Sequence, residues 1–217
     1  MYTAGRQAQP DRGSVRVATR DDPSAVMGGE PSPVMGDEEW AQEPVRRRLI
    51  IDTALDVIAD NGVDRTTHRA IAEAAGIPLG SMTYHFDSLD DVIVCAFRRL
   101  AGVLAARYRG AVAEAESREA ACAAVADLIC GDAYADEREM VVLLELYAYA
   151  NHSPGAERVR REWMAVSWGS LAVHFDADAQ RALDALIEGW TIHRLFAHRA
   201  PDRAVVLRAV RAIADGA

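Results

Sequence analysis

The chain is predicted to be an all-α protein of about nine helices, with a small three-helix unit followed by a larger helical bundle. Two patterns predict this class. From Pro44 onward, apolar residues recur at helical spacing, and capping residues, glycines or prolines separate the segments. No alternating apolar and polar run bounded by hairpin turns is visible, so no β-sheet is expected.

Residues 1–43 differ from the rest of the chain in composition. They are rich in Pro, Gly, Ser, Asp and Glu and show little apolar periodicity. Such a segment buries too little apolar surface to offset the entropy lost on ordering. We therefore expect residues 1–43 to form a disordered extension.

Residues 44–87 are predicted to form three helices arranged as a helix-turn-helix. The first helix has one apolar stripe, made of Ile50, Ala54, Val57 and Ile58. Asn61-Gly62 ends it, and Thr66 or Thr67 can cap the second helix. Gly76 ends the second helix, and the third covers about residues 78–85.

Six further helices are predicted in residues 88–217. Each begins at a residue suited to a helix N-terminus, and several begin at Ser, Asp or Pro. These positions are Ser88, Ser117, Asp136, Ser153-Pro154, Asp176 and Pro201.

Composition points to a cytoplasmic protein that does not coat nucleic acid nonspecifically. The formal net charge is -9, which still allows a small local DNA-reading surface. Cys95, Cys122 and Cys130 lack CxxC spacing, which predicts reduced thiols. No secretory signal is visible and the uncharged stretches are too short to span a bilayer, so no membrane partner is expected.

The segment GIPLGSMTYHF, residues 76–86, has the composition expected of a recognition helix. A helix in the major groove needs small and polar groups on its outer face. Gly80 permits close approach of the backbone, and Ser81 and Thr83 offer hydroxyls. Tyr84 and His85 can donate to phosphate oxygens, which fix register without reading sequence. Ile77, Met82 and Phe86 are predicted to face inward.

From about Arg46 to Phe97 the chain resembles the TetR family of bacterial transcription regulators. The resemblance is carried by IIDTALDVIADNG, TTHRAIAEAAGIPLGSMTYHF and SLDDVIVCAF. It implies that residues 44–87 bind double-stranded operator DNA and that residues 88–217 bind a ligand and form a homodimer. The DNA-contacting set implied by motif and charge is Thr67, Arg69, Pro78, Leu79, Gly80, Ser81, Thr83, Tyr84 and His85.

Two departures from the family pattern concern this surface. Many relatives carry two adjacent aromatic residues before the histidine, and Thr83 replaces the first of them here. Many also carry a lysine near the start of the fourth helix, where this chain has Leu89. Arg46, Arg47 and Arg48 supply local positive charge, either as DNA contacts or as a solvated face.

The later helices hold more large aromatic residues than a small bundle needs. Plain core packing explains each of them, and the functional alternative is a wall of a ligand cavity. The candidate ligand-binding residues are Tyr147, Trp163, Trp168, Trp190 and His193. Few basic residues accompany them, so a mostly apolar effector is expected, with one hydroxyl or carbonyl.

The last two helices are predicted to form a two-fold dimer through a four-helix bundle. A two-fold dimer requires a palindromic operator. The predicted interface residues are Ala185, Gly189, Ile192, Phe196, Val206, Val210 and Ile213.

No enzyme is predicted, because the sequence contains no GxSxG, HExxH, Walker or dinucleotide motif. No cofactor or metal site is expected, since His193 and His198 are poorly spaced for joint ligation. The expected function is a transcriptional repressor that leaves its operator when the effector binds. The alternatives are a regulator of the same fold without a small-molecule effector, whether an activator or one switched by a protein, and a helical enzyme or carrier without DNA binding.

Overall fold

The structure, a computed structural model, describes residues 35–131 and 134–216. These residues form ten α-helices and contain no strand, which confirms the all-α class. The helices are α1 (Asp37–Gln42), α2 (Val45–Asn61), α3 (His68–Ala74), α4 (Gly80–His85), α5 (Leu89–Tyr108), α6 (Arg118–Cys130), α7 (Glu137–Tyr149), α8 (Pro154–Leu171), α9 (Ala177–Ala197) and α10 (Arg203–Ala214).

Helices α2, α3 and α4 form the predicted N-terminal unit. The stripe of α2 is buried together with Ile71 and Ala72 of α3. Gly62 ends α2 at a φ of 75°, and Gly76 separates α3 from α4 at a φ of 63°, where a side chain would be strained. The Thr67 hydroxyl caps α3 by accepting from the Ala70 amide at 3.1 Å.

The body of the molecule consists of α5 to α10. Helix α5 is its central element, since it packs on α2 and on α8, while α10 packs on α6. A polar side chain caps the N-terminus of each of these six helices, at Ser88, Ser117, Asp136, Ser153, Asp176 and Asp202. Asp202, rather than Pro201, therefore begins α10.

Helix α1 lies within the predicted disordered extension, so the boundary at residue 43 is wrong for residues 35–43. Met35 is buried, and the Arg99 guanidinium lies 4.6 Å from the centre of the Trp40 ring. Arg99 also donates to Asp37 at 3.2 Å. A Cβ at Gly102 of α5 would overlap the carbonyl oxygen of Met35, so this glycine lets the chain lie against α5. Residues 1–34 lie outside the described residues.

Candidate DNA interface and effector site

One side of α4 is fixed in the core of the N-terminal unit. Met82 is fully buried, and Ile77 and Phe86 on either side of the helix are also buried. This is the inward set predicted from the sequence. The opposite side of the helix is therefore presented to solvent on a rigid support.

The outer side of α4 carries the predicted DNA-reading residues. Tyr84 is 84% exposed and meets the His85 ring edge-on, with 4.9 Å between ring centres. Thr83 is exposed and donates to the Gly80 carbonyl at 3.2 Å, while Ser81 is half-buried. The other predicted contact residues are exposed, namely Thr67, Arg69, Pro78, Leu79 and Gly80.

Nothing within the described residues requires a glycine at position 80. Its φ is not positive, and a Cβ built there would have nothing within 4 Å. A glycine costs helix stability relative to alanine. The absence of a side chain at the start of α4 therefore suits approach by something outside the chain.

Arg47 supports the recognition helix from behind. Its guanidinium donates to the His85 carbonyl at 2.5 Å and to Cys95 Sγ at 3.2 Å. It also pairs with Glu43 at 3.1 Å and lies 4.1 Å from the centre of the Phe86 ring. Arg47 therefore fits neither interpretation of the arginine run, because it is half-buried and holds the last turn of α4 within its own chain.

Helix α7 joins the N-terminal unit to the body. Glu145 accepts from the Val63 amide at 3.0 Å, in the turn between α2 and α3. Tyr149 donates to Asp90 at 2.8 Å, at the start of α5 and just after the recognition helix. Movement of α7 would therefore reach both sides of the helix-turn-helix.

Three of the five predicted ligand-binding residues lie in one cluster. The Trp163 indole donates to the Tyr147 hydroxyl at 3.3 Å, and Trp168 lies five residues further along α8. Trp163 is buried, stacked on Tyr134 at 6.0 Å and edge-on to Tyr108 at 6.2 Å.

Trp190 and His193 contribute to a different place. They line a cavity of about 300 Å³ at the C-terminal end of α9, together with Arg199 and Pro201. His193 is exposed, and the predicted grouping of all five side chains is therefore wrong. Trp190 and His193 lie in the C-terminal half of α9, near the loop before α10, and not beside Tyr147 and Trp163.

Sequence reasoning missed two carboxylates that complete the cluster. Asp184 accepts from the Trp168 indole at 2.9 Å and from the Ser167 hydroxyl at 2.8 Å. Glu188 accepts from the Tyr147 hydroxyl at 2.5 Å. Burial raises the pKa of both carboxyls, and these hydrogen bonds oppose the rise. Their i, i+4 spacing beside a buried stripe was the available signal.

The predicted dimer residues divide between surface and core. Val206 and Val210 are 0% exposed within a single chain, because α10 packs them against α6, so their assignment to the interface is wrong. Phe196 is 72% exposed and Ala185 is exposed, while Gly189, Ile192 and Ile213 are half-buried. The unpartnered apolar stripe is therefore on α9.

Neither a membrane span nor a metal site is found among the described residues. Their helices include none long and apolar enough to cross a membrane. They also contain no group of three or more His, Cys, Asp or Glu side chains placed to hold a metal ion.

Comparison with known proteins gives one consistent result. A family model for bacterial regulatory proteins of the tetR family matches residues 50–94. The HTH-type transcriptional regulator BetI of Cronobacter sakazakii is 29% identical over 143 residues, which cover 64% of this chain and 70% of that protein.

Solved structures extend the similarity to the body. SCO7518 of Streptomyces coelicolor A3(2), described as a transcriptional regulator, is 40% identical with a TM-score of 0.71, and the match covers 79% of this chain and 99% of that one. The multidrug binding protein EbrR complexed with ethidium is 29% identical with a TM-score of 0.67, over 79% of this chain and 99% of that one.

Proposed function

Because the chain belongs to the TetR family of transcriptional regulators, we propose that it is a repressor that binds a palindromic operator as a homodimer and leaves it when a small molecule binds the body. It is a DNA-binding regulator and not an enzyme. The observation that carries the proposal is the outer side of α4, which is polar, exposed and backed by a fixed core.

Within that surface the residues have different roles. Ser81 and Thr83 read base edges, and Tyr84 and His85 bind phosphates and set the position of α4. Thr67 and Arg69, at the start of α3, add contacts to the backbone of the DNA. Pro78 and Leu79, just before α4, and Gly80, its first residue, bring the backbone close to the DNA.

The dimer is formed through α9. A second copy of the chain covers the stripe Ala185, Gly189, Ile192 and Phe196, and Ile213 lies at its margin. Gly189 supports this assignment, since a Cβ there would meet nothing within 4 Å of its own chain. Phe196→Asp should then give a monomer by sedimentation, whereas Val45→Asp, at an exposed position on α2, should remain a dimer.

The effector binds among Tyr147, Trp163 and Trp168. The aromatic cluster supports this site, and the complex of EbrR with ethidium supports a small molecule as the effector. A ligand releases the DNA only if it binds the two states of the protein unequally. Helix α7 carries both Tyr147 and the contacts to the N-terminal unit, so ligand binding at Tyr147 biases the position of that unit.

The test is operator selection from random DNA with the purified full chain, followed by base-by-base competition. Ser81→Ala should change which base pair is preferred, by about 1–3 kcal/mol at the contacted position. Tyr84→Phe should weaken binding to all sequences alike. Failure to select any palindrome would overturn the proposed function, and a Tyr84→Phe variant with changed sequence preference would overturn the division of roles.

A further inference from the structure

The two carboxylates on α9 are half-buried and accept hydrogen bonds from neutral donors only. Asp184 is held by an indole and a serine hydroxyl, and Glu188 is held by a phenol. A charge removed from water normally acquires an opposite charge as partner. Here the groups that hold both carboxylates carry no charge.

Positive charge near the pair is weak among the described residues. Within the described residues no ion pair joins a basic side chain to Asp184 or Glu188, and Arg160, whose charge opposes the rise in the pKa of Glu188, is paired with Glu157. The Arg160 guanidinium makes two hydrogen bonds of 2.9 Å to Glu157 and one to Met164 Sδ. The charge of Arg160 is therefore balanced by Glu157, and Asp184 and Glu188 have no positively charged partner among the described residues.

A second polar group in the same place also lacks a partner. The Tyr108 hydroxyl, on a side chain that is 1% exposed, makes no hydrogen bond within the described residues. Ser167 lies within hydrogen-bond reach of this hydroxyl but donates its own proton to Asp184, so the proton of the Tyr108 hydroxyl has no acceptor within the described residues. Buried hydroxyls are normally satisfied, so this one marks a position where a polar atom from outside would be held.

The walls around these groups are aromatic. Trp163 stacks on Tyr134 with an interplanar angle of 23° and meets Tyr108 at 89°. The faces of such rings carry negative charge density and attract weakly hydrated cations. A hard metal ion would need several more oxygen ligands than this cluster offers, and no metal-binding group is present among the described residues.

We propose that Asp184 and Glu188 are the counter-charges for a flat organic cation, such as a protonated aromatic amine, bound beside Trp163 with a polar atom on the Tyr108 hydroxyl. This inference rests on the proposed function, because it names the class of the effector. It replaces the mostly apolar effector expected from the sequence. The cation takes the place of the Tyr147 phenol on Glu188 and the Trp168 indole on Asp184.

Loss of the hydrogen bond from Tyr147 to Glu188 would connect binding of the cation to release of the DNA. Tyr147 and Glu145 lie two residues apart on α7, and Glu145 holds the turn before α3 at Val63. A ligand that frees Tyr147 from Glu188 therefore acts on the helix that positions the N-terminal unit.

The experiment compares two ring systems of the same shape. Binding of 9-aminoacridine, a cation at pH 8, and of acridine, which is neutral there, is measured by calorimetry with the full chain. The variants are Asp184→Asn and Glu188→Gln, and the control is Asp178→Asn, an exposed carboxylate on the same helix. Thermal unfolding of each variant verifies that it is folded.

We expect 9-aminoacridine to bind the protein at least tenfold more tightly than acridine does. Asp184→Asn and Glu188→Gln should each weaken the cation at least tenfold and leave acridine unchanged, and Asp178→Asn should alter neither. Equal affinity for the two compounds, no binding of either, or full cation affinity in both variants would overturn the inference. Binding to the selected operator is measured separately, so a repressor that ignores the cation contradicts this inference alone.

Discussion

Replacing Arg47 with methionine should destabilise the recognition helix without removing a contact to DNA. Methionine keeps most of the apolar stem and removes the guanidinium, which is 22% exposed at the side chain. The change removes the hydrogen bond to the last carbonyl of α4, the contact with the Phe86 ring and the ion pair with Glu43.

The size of the effect follows from these three contacts, since the hydrogen bond that is also lost, to Cys95 Sγ, has a weak acceptor. A hydrogen bond from a charged donor contributes about 1.5–3 kcal/mol, and a cation–π contact at a partly exposed site about 0.5–1 kcal/mol. The ion pair is screened by solvent and contributes about 0–1 kcal/mol. Because these terms are not additive, we expect a loss of about 2–3 kcal/mol in the free energy of unfolding, or roughly 4–12 °C in Tm.

Thermal unfolding and operator binding at several salt concentrations separate a structural role from a DNA contact. Loss of a phosphate contact lowers the slope of log K against log salt by about 0.9. Arg47→Met should reduce Tm and weaken the operator with an unchanged slope, and Arg46→Met, at the exposed neighbouring position, should leave Tm unchanged. An unchanged Tm together with a slope lowered by about one would show that Arg47 binds a phosphate and does not hold α4.

Three other changes test neighbouring features. Gly80→Ala should leave the free energy of unfolding unchanged or raise it by up to about 1 kcal/mol, while the affinity for the operator falls. An unchanged operator affinity would show that DNA does not come close to the backbone at this position. Glu145→Ala should keep ligand binding, measured by calorimetry, and weaken the release of DNA by ligand, because the acceptor for the Val63 amide is lost. Burial raises the pKa of Asp184, so this carboxyl contributes most to the stability of the folded protein below about pH 3.8, and the contribution falls as the pH rises through the raised pKa. The Tm of Asp184→Asn relative to the unchanged protein should therefore rise between pH 4 and pH 8. A difference in Tm that does not change with pH would contradict the raised pKa.

Helices α2 to α10 could be predicted because their signals are local. Capping hydroxyls and carboxylates, turn glycines and apolar stripes lie next to one another in the sequence. Helix α1 was not predicted because its main cause is distant in the sequence. It is ordered by packing of Met35 and Trp40 on α5, and its own six residues offer only the acidic first turn of Asp37, Glu38 and Glu39 as a local signal.

The sites show the same division between local and distant causes. The residues on the outer side of α4 could be identified from one short segment of the sequence. The residues of the dimer stripe could not, because the sequence does not show which apolar side of a helix is already buried within its own chain. Val206 and Val210 look identical in sequence to residues that meet a second subunit, yet α6 covers them. Asp184 and Glu188 were overlooked because carboxylates are usually solvated, and only the fold shows that α7 and α8 enclose them.

Gly102 has a consequence for how other chains of this family can be interpreted. Its missing Cβ is what allows the carbonyl of Met35 to rest on α5, so the attachment of α1 depends on one position more than sixty residues away. A chain that carries any larger residue there cannot seat a backbone in this way. The residue at that one position should therefore distinguish family members that have an N-terminal arm of this kind from those that lack one, by sequence alone.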